Sequence, residues 1–182
     1  MNKPRFYFSV TDVALTGVMA ATLEAVKLAL SALPNIELVS LLLALYGYVF
    51  GPCGVLAAVI FVVAEMLIWG INTWVISYLI YWPLIALLFW FLGKKGVKTR
   101  FVITGIAVVM TFFFGVLTSL IDVGLFAGYW ENFLLRFSIY YARGIWFYVI
   151  HIVSNAAVFL TLFTPLEALF QKLKLQFYKK RK

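Results

Sequence analysis

The sequence contains few charged residues, a single cysteine and a single histidine. Only 12% of its 182 residues are charged, whereas 65% are hydrophobic and the mean hydropathy is +1.03. A typical water-soluble domain has about twice this share of charged residues. Cys53 has no second cysteine to pair with, which excludes an internal disulfide. These scarcities predict an integral membrane protein.

The sequence also lacks the short motifs that identify several classes of enzyme. It has no G-x-x-x-x-G-K-[ST] phosphate-binding loop, no H-E-x-x-H, no C-x-x-C and no G-x-S-x-G. One cysteine without a cluster of other ligands gives no case for a metal site. We therefore assign no catalytic residue and no metal ligand, and expect a protein that is not an enzyme and binds no cofactor of its own.

Basic residues outnumber acidic residues by fifteen to seven, which gives a formal net charge of +8. Twelve of the fifteen form three groups along the chain: Lys3 and Arg5; Lys94, Lys95, Lys98 and Arg100; and Lys172, Lys174, Lys179, Lys180, Arg181 and Lys182. Cytoplasmic segments of membrane proteins are enriched in Lys and Arg. We therefore interpret the groups as the cytoplasmic side of a membrane protein, and not as a surface for nucleic acid.

The apolar segments predict an all-α, polytopic membrane protein with one domain over residues 1–182. Six transmembrane helices are predicted at residues 9–33, 38–50, 54–70, 73–92, 101–127 and about 140–170. A chain that starts in the cytoplasm then returns there after the fourth and sixth helices, where basic groups occur, so both termini are predicted to be cytoplasmic. The second helix is short, and it could form a tilted hairpin with the third.

Small residues recur at every fourth position of the first predicted helix. They are Gly17, Ala21, Ala25 and Ala29. Residues four apart share one face of a helix, and small residues let another helix approach closely. We predict that Gly17, Ala21 and Ala25 dock against a partner. The polar break that follows contains Pro34, Asn35 and Glu37 and predicts an ordered loop on the outer side.

Polar and aromatic residues cluster where the predicted topology places the outer ends of the helices. Charged side chains in a membrane protein turn toward the bundle interior or a water-filled cavity. The candidate substrate-binding residues are Asn35, Glu37, Glu65, Trp69, Asn72, Trp74, Tyr78, Asp122, Tyr129, Trp130, Arg136, Tyr140, Arg143 and Phe147. Aromatic planes with a few polar groups suit a large, partly planar organic molecule better than a bare ion. We predict one outward-facing pocket at a common depth.

Structural interpretations of some of these residues stay open. Glu65 or Asp122 could be an internal hydrogen-bonding strut, neutral or paired with an arginine. The aromatic face of the fourth helix could be ordinary core. The spacing of Glu24 and Lys27 allows a pair within the first helix. His151 is predicted to lie deeper and alone, as a packed histidine with hydrogen bonds.

The pattern as a whole resembles the substrate-binding S components of energy-coupling factor (ECF) vitamin transporters of bacteria. The resemblance covers nearly the whole chain: its length, six helices, termini on the inside, the small-residue motif and the loop after it. The alanine-x-x-x-alanine docking motif of that family corresponds to Gly17, Ala21 and Ala25, with glycine in place of the first alanine. Residues 33–40, Leu-Pro-Asn-Ile-Glu-Leu-Val-Ser, are most similar to the cobalamin-specific kind.

This resemblance implies a subunit of an ATP-driven importer in the bacterial plasma membrane. The chain would capture a vitamin, with cobalamin as the first candidate, in a pocket between the loop and helices 4 to 6. It would dock on a transmembrane T component, and two ATPase partners would use the ATP. Riboflavin, folate, thiamine and pantothenate are alternative substrates, because nothing in the sequence marks cobalt ligation.

Three other functions fit parts of the same pattern. A self-sufficient carrier would relay protons through Glu65, Asp122 and His151, and its uptake in vesicles would collapse with the proton gradient. An intramembrane enzyme would use the same groups as acid and base. A scaffold would need only the small-residue face and would bind no small molecule tightly.

Overall fold

The computed structural model describes residues 8–126 and 131–179, and within these ranges it contains helices and no β-strand. The α-helices are α1 (Val10–Ala29), α2 (Val39–Phe50), α3 (Pro52–Trp69), α4 (Thr73–Lys94), α5 (Arg100–Ile121) and α6 (Phe133–Lys179). A π-helical segment, Asp122–Phe126, follows α5 directly. The predicted all-α class is confirmed.

Four of these helices are long and apolar enough to cross a membrane, namely α3, α4, α5 and α6. The apolar helix α2 has 12 residues, which gives about 18 Å of helix against a hydrocarbon core of about 30 Å. α1 has 20 residues and includes Asp12, Glu24 and Lys27. The composition of the long helices is that of a membrane protein, and the number of six spans stays a prediction.

The short helix α2 lies at the centre of the bundle. All 12 of its residues are buried, and it contacts α1, α3, α4 and α6. A Cβ atom added at Gly47 would lie 2.0 Å from the carbonyl oxygen of Ala86 on α4. One added at Gly93 would lie 2.3 Å from the carbonyl oxygen of Tyr48. Because α2 is apolar on every side, it is stable only where other helices surround it.

The last helix is much longer than the sequence predicts. α6 starts at Phe133 and ends at Lys179, whereas the predicted helix covers residues 140–170. Its first turns are stabilised by aromatic rings four residues apart: Phe133 stacks on Phe137, and Phe137 stacks on Tyr141, with centroids 6.4 and 5.8 Å apart. Residues 133–139, which lie outside the predicted helix, are therefore helical.

Hydrogen bonds close the bundle at the end that carries the basic groups. The Tyr178 hydroxyl donates to the Asp12 carboxylate, which joins the end of α6 to the start of α1. Lys174 Nζ donates to the Val49 carbonyl at 2.6 Å, near the end of α2. The α2–α3 turn follows at Gly51, whose φ of +61° favours glycine. The segment between α1 and α2 therefore lies at the opposite end.

Candidate functional site

The segment at residues 30–38 connects α1 to α2 and is fastened by Glu37. The Glu37 carboxylate accepts a hydrogen bond from the Ser40 backbone N–H at 2.8 Å, in the first turn of α2. Its other oxygen lies 3.2 Å from His151 Nε2 on α6. Asn35 has a φ of +58°, in the left-handed region that asparagine tolerates better than most residues. Glu37 thus joins this loop to two helices.

Hydrogen bonds also keep Glu37 in its ionised form. Burial by itself would raise the pKa of this carboxyl, but hydrogen bonding to His151 and Ser40 outweighs burial, so that the pKa lies below its ordinary value of 4.5. A hydrogen bond to an ionised acceptor is stronger than one between neutral groups. The loop is therefore held by charge-assisted bonds at neutral pH.

A cavity of about 290 Å³, which we name the inner cavity, lies beneath this loop. Its lining includes polar groups from α1, the loop and α6, together with aromatic rings from α3, α4 and α5: Lys27, Asn35, Glu37, His151, Phe61, Tyr78, Trp82 and Phe114. Trp82 stacks on Phe114 with centroids 5.8 Å apart. The Trp82 Nε1–H is buried without a hydrogen-bond partner in the described residues. These walls can hold a small planar molecule.

Lys27 lies between the inner cavity and the α3–α4 pair. Its ammonium forms an ion pair with Glu65, whose side chain is fully buried. The same ammonium lies 5.0 Å from the ring centroid of Trp74 and 5.4 Å from that of Tyr78, within cation–π range. Lys27 therefore pairs with Glu65 and not with Glu24, whose two carboxylate oxygens are buried without a hydrogen-bond partner in the described residues.

A second cavity of about 450 Å³, the outer cavity, lies beside the first turns of α6. It is lined by Asn35, Tyr140, Arg143, Gly144, Phe147 and Tyr148. Asn35 lines both cavities. Arg143, Phe147 and His151 are spaced four apart and share one face of α6. That face leads from the outer cavity to the inner one.

The end of α5 and the π-helical segment after it make hydrogen bonds to two tyrosines of the outer cavity. The Tyr140 hydroxyl donates to the Asp122 carboxylate at 2.7 Å, and the Tyr148 hydroxyl lies 2.8 Å from Ser119 Oγ. Tyr148 also packs closely against Gly115, where an added Cβ would lie 2.8 Å from its ring. Contacts between α5 and α6 therefore fix both tyrosines of the cavity wall.

The predicted site residues fall into three neighbouring places instead of one pocket. Asn35, Glu37 and Tyr78 line the inner cavity, while Asn35, Tyr140, Arg143 and Phe147 line the outer cavity. Glu65, Trp69 and Trp74 surround Lys27. Asp122 supports the outer cavity through Tyr140. The single pocket that the sequence predicts is thus divided into two cavities, with Arg143 and Phe147 of α6 in the outer one and His151 of α6 in the inner one.

Of the four remaining predicted residues, the structure describes Asn72 and Arg136. Asn72 is exposed at the start of α4, where its amide donates to the Trp69 carbonyl at 3.3 Å. Arg136 is in the first turns of α6 and lines neither cavity. Tyr129 and Trp130 lie outside the described residues.

Sequence reasoning missed Lys27, Trp82, Phe114 and His151 as lining residues. His151 is buried, as predicted, but it is not alone, since Glu37 reaches it from the loop. A signal was available for this residue, because it shares a helix face with Arg143 and Phe147. Phe114 carries no such signal in the sequence.

The face of α1 that points away from the bundle carries the predicted docking residues. Gly17, Ala21 and Ala25 are exposed, whereas Leu15 and Leu23 are buried against the other helices. A Cβ atom at Gly17 would meet nothing within 4 Å. The described part of the chain therefore leaves the small-residue face uncovered, and its docking role stays a prediction.

Comparisons with known proteins identify no relative. No family model matches the chain, and neither a curated protein nor a solved structure matches it. The geometry of the two cavities is therefore the basis for a functional conclusion.

Proposed function

We propose that this chain is the membrane-embedded, substrate-binding subunit of an ATP-driven vitamin importer of the ECF type. The observation that carries the proposal is the loop over the inner cavity. A polar and aromatic cavity of about 290 Å³ lies beneath a segment that Glu37 fastens to α2 and α6. Small-molecule sites are typically concave, largely apolar and provided with a few placed polar groups.

The positions of charge support an outward-facing cavity. His151 lines the inner cavity, whereas Lys174 belongs to the basic group at the other end of α6. A helix rises about 35 Å between positions 151 and 174, which is comparable to the thickness of a bilayer core. With the basic groups in the cytoplasm of a bacterial cell, the loop faces outside. In this proposal both termini are cytoplasmic and α2 is one of six helices in the membrane domain.

The exposed face of α1 supports the partner half of the proposal. The chain has no nucleotide-binding motif, so energy from ATP has to reach it through contacts with other subunits. Gly17, Ala21 and Ala25 present a shallow apolar surface on which a helix of a transmembrane T component can pack closely. Two ATPase subunits would act on that component.

The resemblance at residues 33–40 makes cobalamin the first candidate substrate. The volume of the inner cavity limits how cobalamin could bind. Pockets for small molecules span about 300–1,000 Å³, and the inner cavity has about 290 Å³. A corrinoid would therefore have to extend into the outer cavity. Riboflavin, thiamine, pantothenate and folate are the smaller alternatives.

A binding titration tests the proposal. The purified chain in detergent is titrated with cobalamin, cobinamide, riboflavin, thiamine, pantothenate and folate, and we expect saturable binding of one ligand per chain. Trp82→Phe should weaken that binding about tenfold, because it removes a buried donor and part of an aromatic wall. Trp146→Phe is the matched control, since Trp146 is 75% exposed on α6.

Other outcomes favour other functions. Failure of all six compounds to bind would overturn the proposal and favour a scaffold. Uptake by the chain alone in vesicles, with collapse on loss of the proton gradient, would favour a proton-coupled carrier.

A further inference from the structure

The charged residues that line the two cavities differ in whether they have partners. In the inner cavity, Lys27 is paired with Glu65, and Glu37 is bonded to His151. In the outer cavity, Arg143 is exposed and makes no ion pair or hydrogen bond with any residue of the ranges 8–126 and 131–179. The site as a whole therefore presents one guanidinium whose charge the described chain does not neutralise.

One acidic group supports the cavity wall that carries Arg143, and it bonds to Tyr140 and not to Arg143. The Asp122 carboxylate accepts the hydrogen bond of Tyr140, which lines the outer cavity beside Arg143. Since the Tyr140 hydroxyl donates to Asp122, its oxygen can still accept a bond but cannot donate a second one. No hydrogen bond or ion pair joins Arg143 to Tyr140 or Asp122, both of which lie in the described ranges, so its donors are available to a ligand.

The two cavities are arranged so that one ligand can occupy both. Asn35 lines each of them, and Phe147 lies one turn from Arg143 and one turn from His151. Eight residues of helix separate Arg143 from His151, which corresponds to about 12 Å. A molecule whose planar part lies in the inner cavity can therefore place a substituent near Arg143.

We propose that Arg143 is an anion-binding residue and that the ligand is bipartite. Its compact planar part occupies the inner cavity under the loop, and a carboxylate or phosphate about 12 Å away binds the Arg143 guanidinium in the outer cavity. The planar fork of N–H donors in arginine matches both anions with two parallel hydrogen bonds. This inference rests on the proposed function for the existence of a ligand and adds the ligand's charge.

Matched compounds that differ by one anionic group test this inference. The pairs are riboflavin and flavin mononucleotide, thiamine and thiamine monophosphate, and cobinamide and cobinamide phosphate. In detergent we expect the phosphorylated member of at least one pair to bind about ten- to hundredfold tighter than the member without the phosphate. Arg143→Gln should remove this difference while leaving the affinity for the unphosphorylated member within about threefold.

Lys172→Gln is the matched control, because it removes one positive charge from an exposed residue at the far end of the same helix. It should leave the preference for the anion unchanged. Equal affinity for both members of every pair, with Arg143→Gln like the wild type, would overturn the anion site and leave the proposed function standing. Absence of binding by these six compounds and also by cobalamin, pantothenate and folate would overturn both.

A lipid phosphate offers the same chemistry as a soluble anion, and a second arm separates them. Binding is repeated in nanodiscs of phosphatidylcholine alone and of phosphatidylcholine with phosphatidylglycerol. The proposal predicts the same preference for the anionic compound in both. A preference that is lost in the anionic nanodiscs, together with Arg143-dependent thermal stabilisation by phosphatidylglycerol, would overturn it in favour of a lipid headgroup.

Discussion

At the scale of single residues, two carboxylates determine how the parts of the site are held together. Glu65 is fully buried and Glu37 is largely so, and each has a basic partner on a distant part of the chain. A buried carboxylate without a partner is strongly destabilising. Lys27 and His151 therefore fix α1 against α3 and the loop against α6.

Removal of the partner of Glu65 should destabilise the protein. For Lys27→Met we expect a loss of roughly 2–4 kcal/mol in the free energy of unfolding, because the buried carboxylate loses its cation. The loss is below that of a fully buried pair, since the Lys27 side chain is 27% exposed. Unfolding in detergent measures it. The double variant Lys27→Met/Glu65→Gln removes the charge as well and should recover most of the loss; a double variant as unstable as the single one would disprove the explanation.

Acid should loosen the loop through Glu37. The pKa of this carboxyl is lowered in the folded protein, so its ionised form contributes stability above the ordinary value of 4.5, and that contribution is lost as the pH falls below it. Between pH 5 and pH 3 the wild type should lose more thermal stability than Glu37→Gln, which has no such charge. Glu131→Gln, at an exposed position, should behave like the wild type. An equal loss of thermal stability between pH 5 and pH 3 in the wild type and in Glu37→Gln would show that the Glu37 carboxylate does not hold the loop.

At the scale of elements, the contact between α2 and α4 decides where the aromatic wall of the inner cavity stands. α4 carries Tyr78 and Trp82 toward the cavity, and it packs closely against α2 where Gly47 faces Ala86. Since α2 is buried on all sides, it cannot move away from a larger side chain without disturbing three other helices. Glycine at this crossing is a packing requirement.

Substitution of that glycine should therefore be costly. Gly47→Ala places a methyl group 2.0 Å from the Ala86 carbonyl oxygen, and we expect a loss on the order of 2–3 kcal/mol or failure to fold. Gly105→Ala is the control on α5, where an added Cβ meets nothing within 4 Å. It should be neutral or stabilising by up to about 1 kcal/mol through helix propensity. Equal melting temperatures for the two variants would refute the close crossing.

At the scale of the whole molecule, the two functional surfaces of the proposal are separate. The cavities lie under the loop at one end of the bundle, and the small-residue face runs along the outside of α1. A change on one surface can therefore leave the other intact. This separation is what a subunit needs in order to bind a ligand and be moved by a partner.

A bulky residue on the small-residue face should separate the two activities. Ala21→Trp should abolish assembly with the T component and ATP-driven uptake, while the affinity of the purified chain for its ligand stays within about twofold, because Ala21 is exposed and lines neither cavity. Co-purification and uptake in proteoliposomes measure the first effect, and titration measures the second. Ala157→Trp, at an exposed alanine of α6, should assemble normally. Loss of ligand binding in Ala21→Trp would place this face inside the bundle.

The sequence by itself determined the helical class, the membrane character, the positions of the basic groups and the small-residue face of α1. These are local properties: composition fixes how apolar a segment is, and a spacing of four fixes which residues share a helix face. The same spacing places Arg143, Phe147 and His151 on one face of a helix.

Only the tertiary structure decided which groups meet across the chain. Glu37 and His151 are 114 positions apart, and Lys27 and Glu65 are 38 apart, so no local spacing can pair them. The central position of α2 and the division of the site into an inner and an outer cavity likewise depend on how the helices pack. The physical reason is that a buried charge pairs with the group of opposite charge that helix packing places beside it. A residue is buried only once the bundle has assembled.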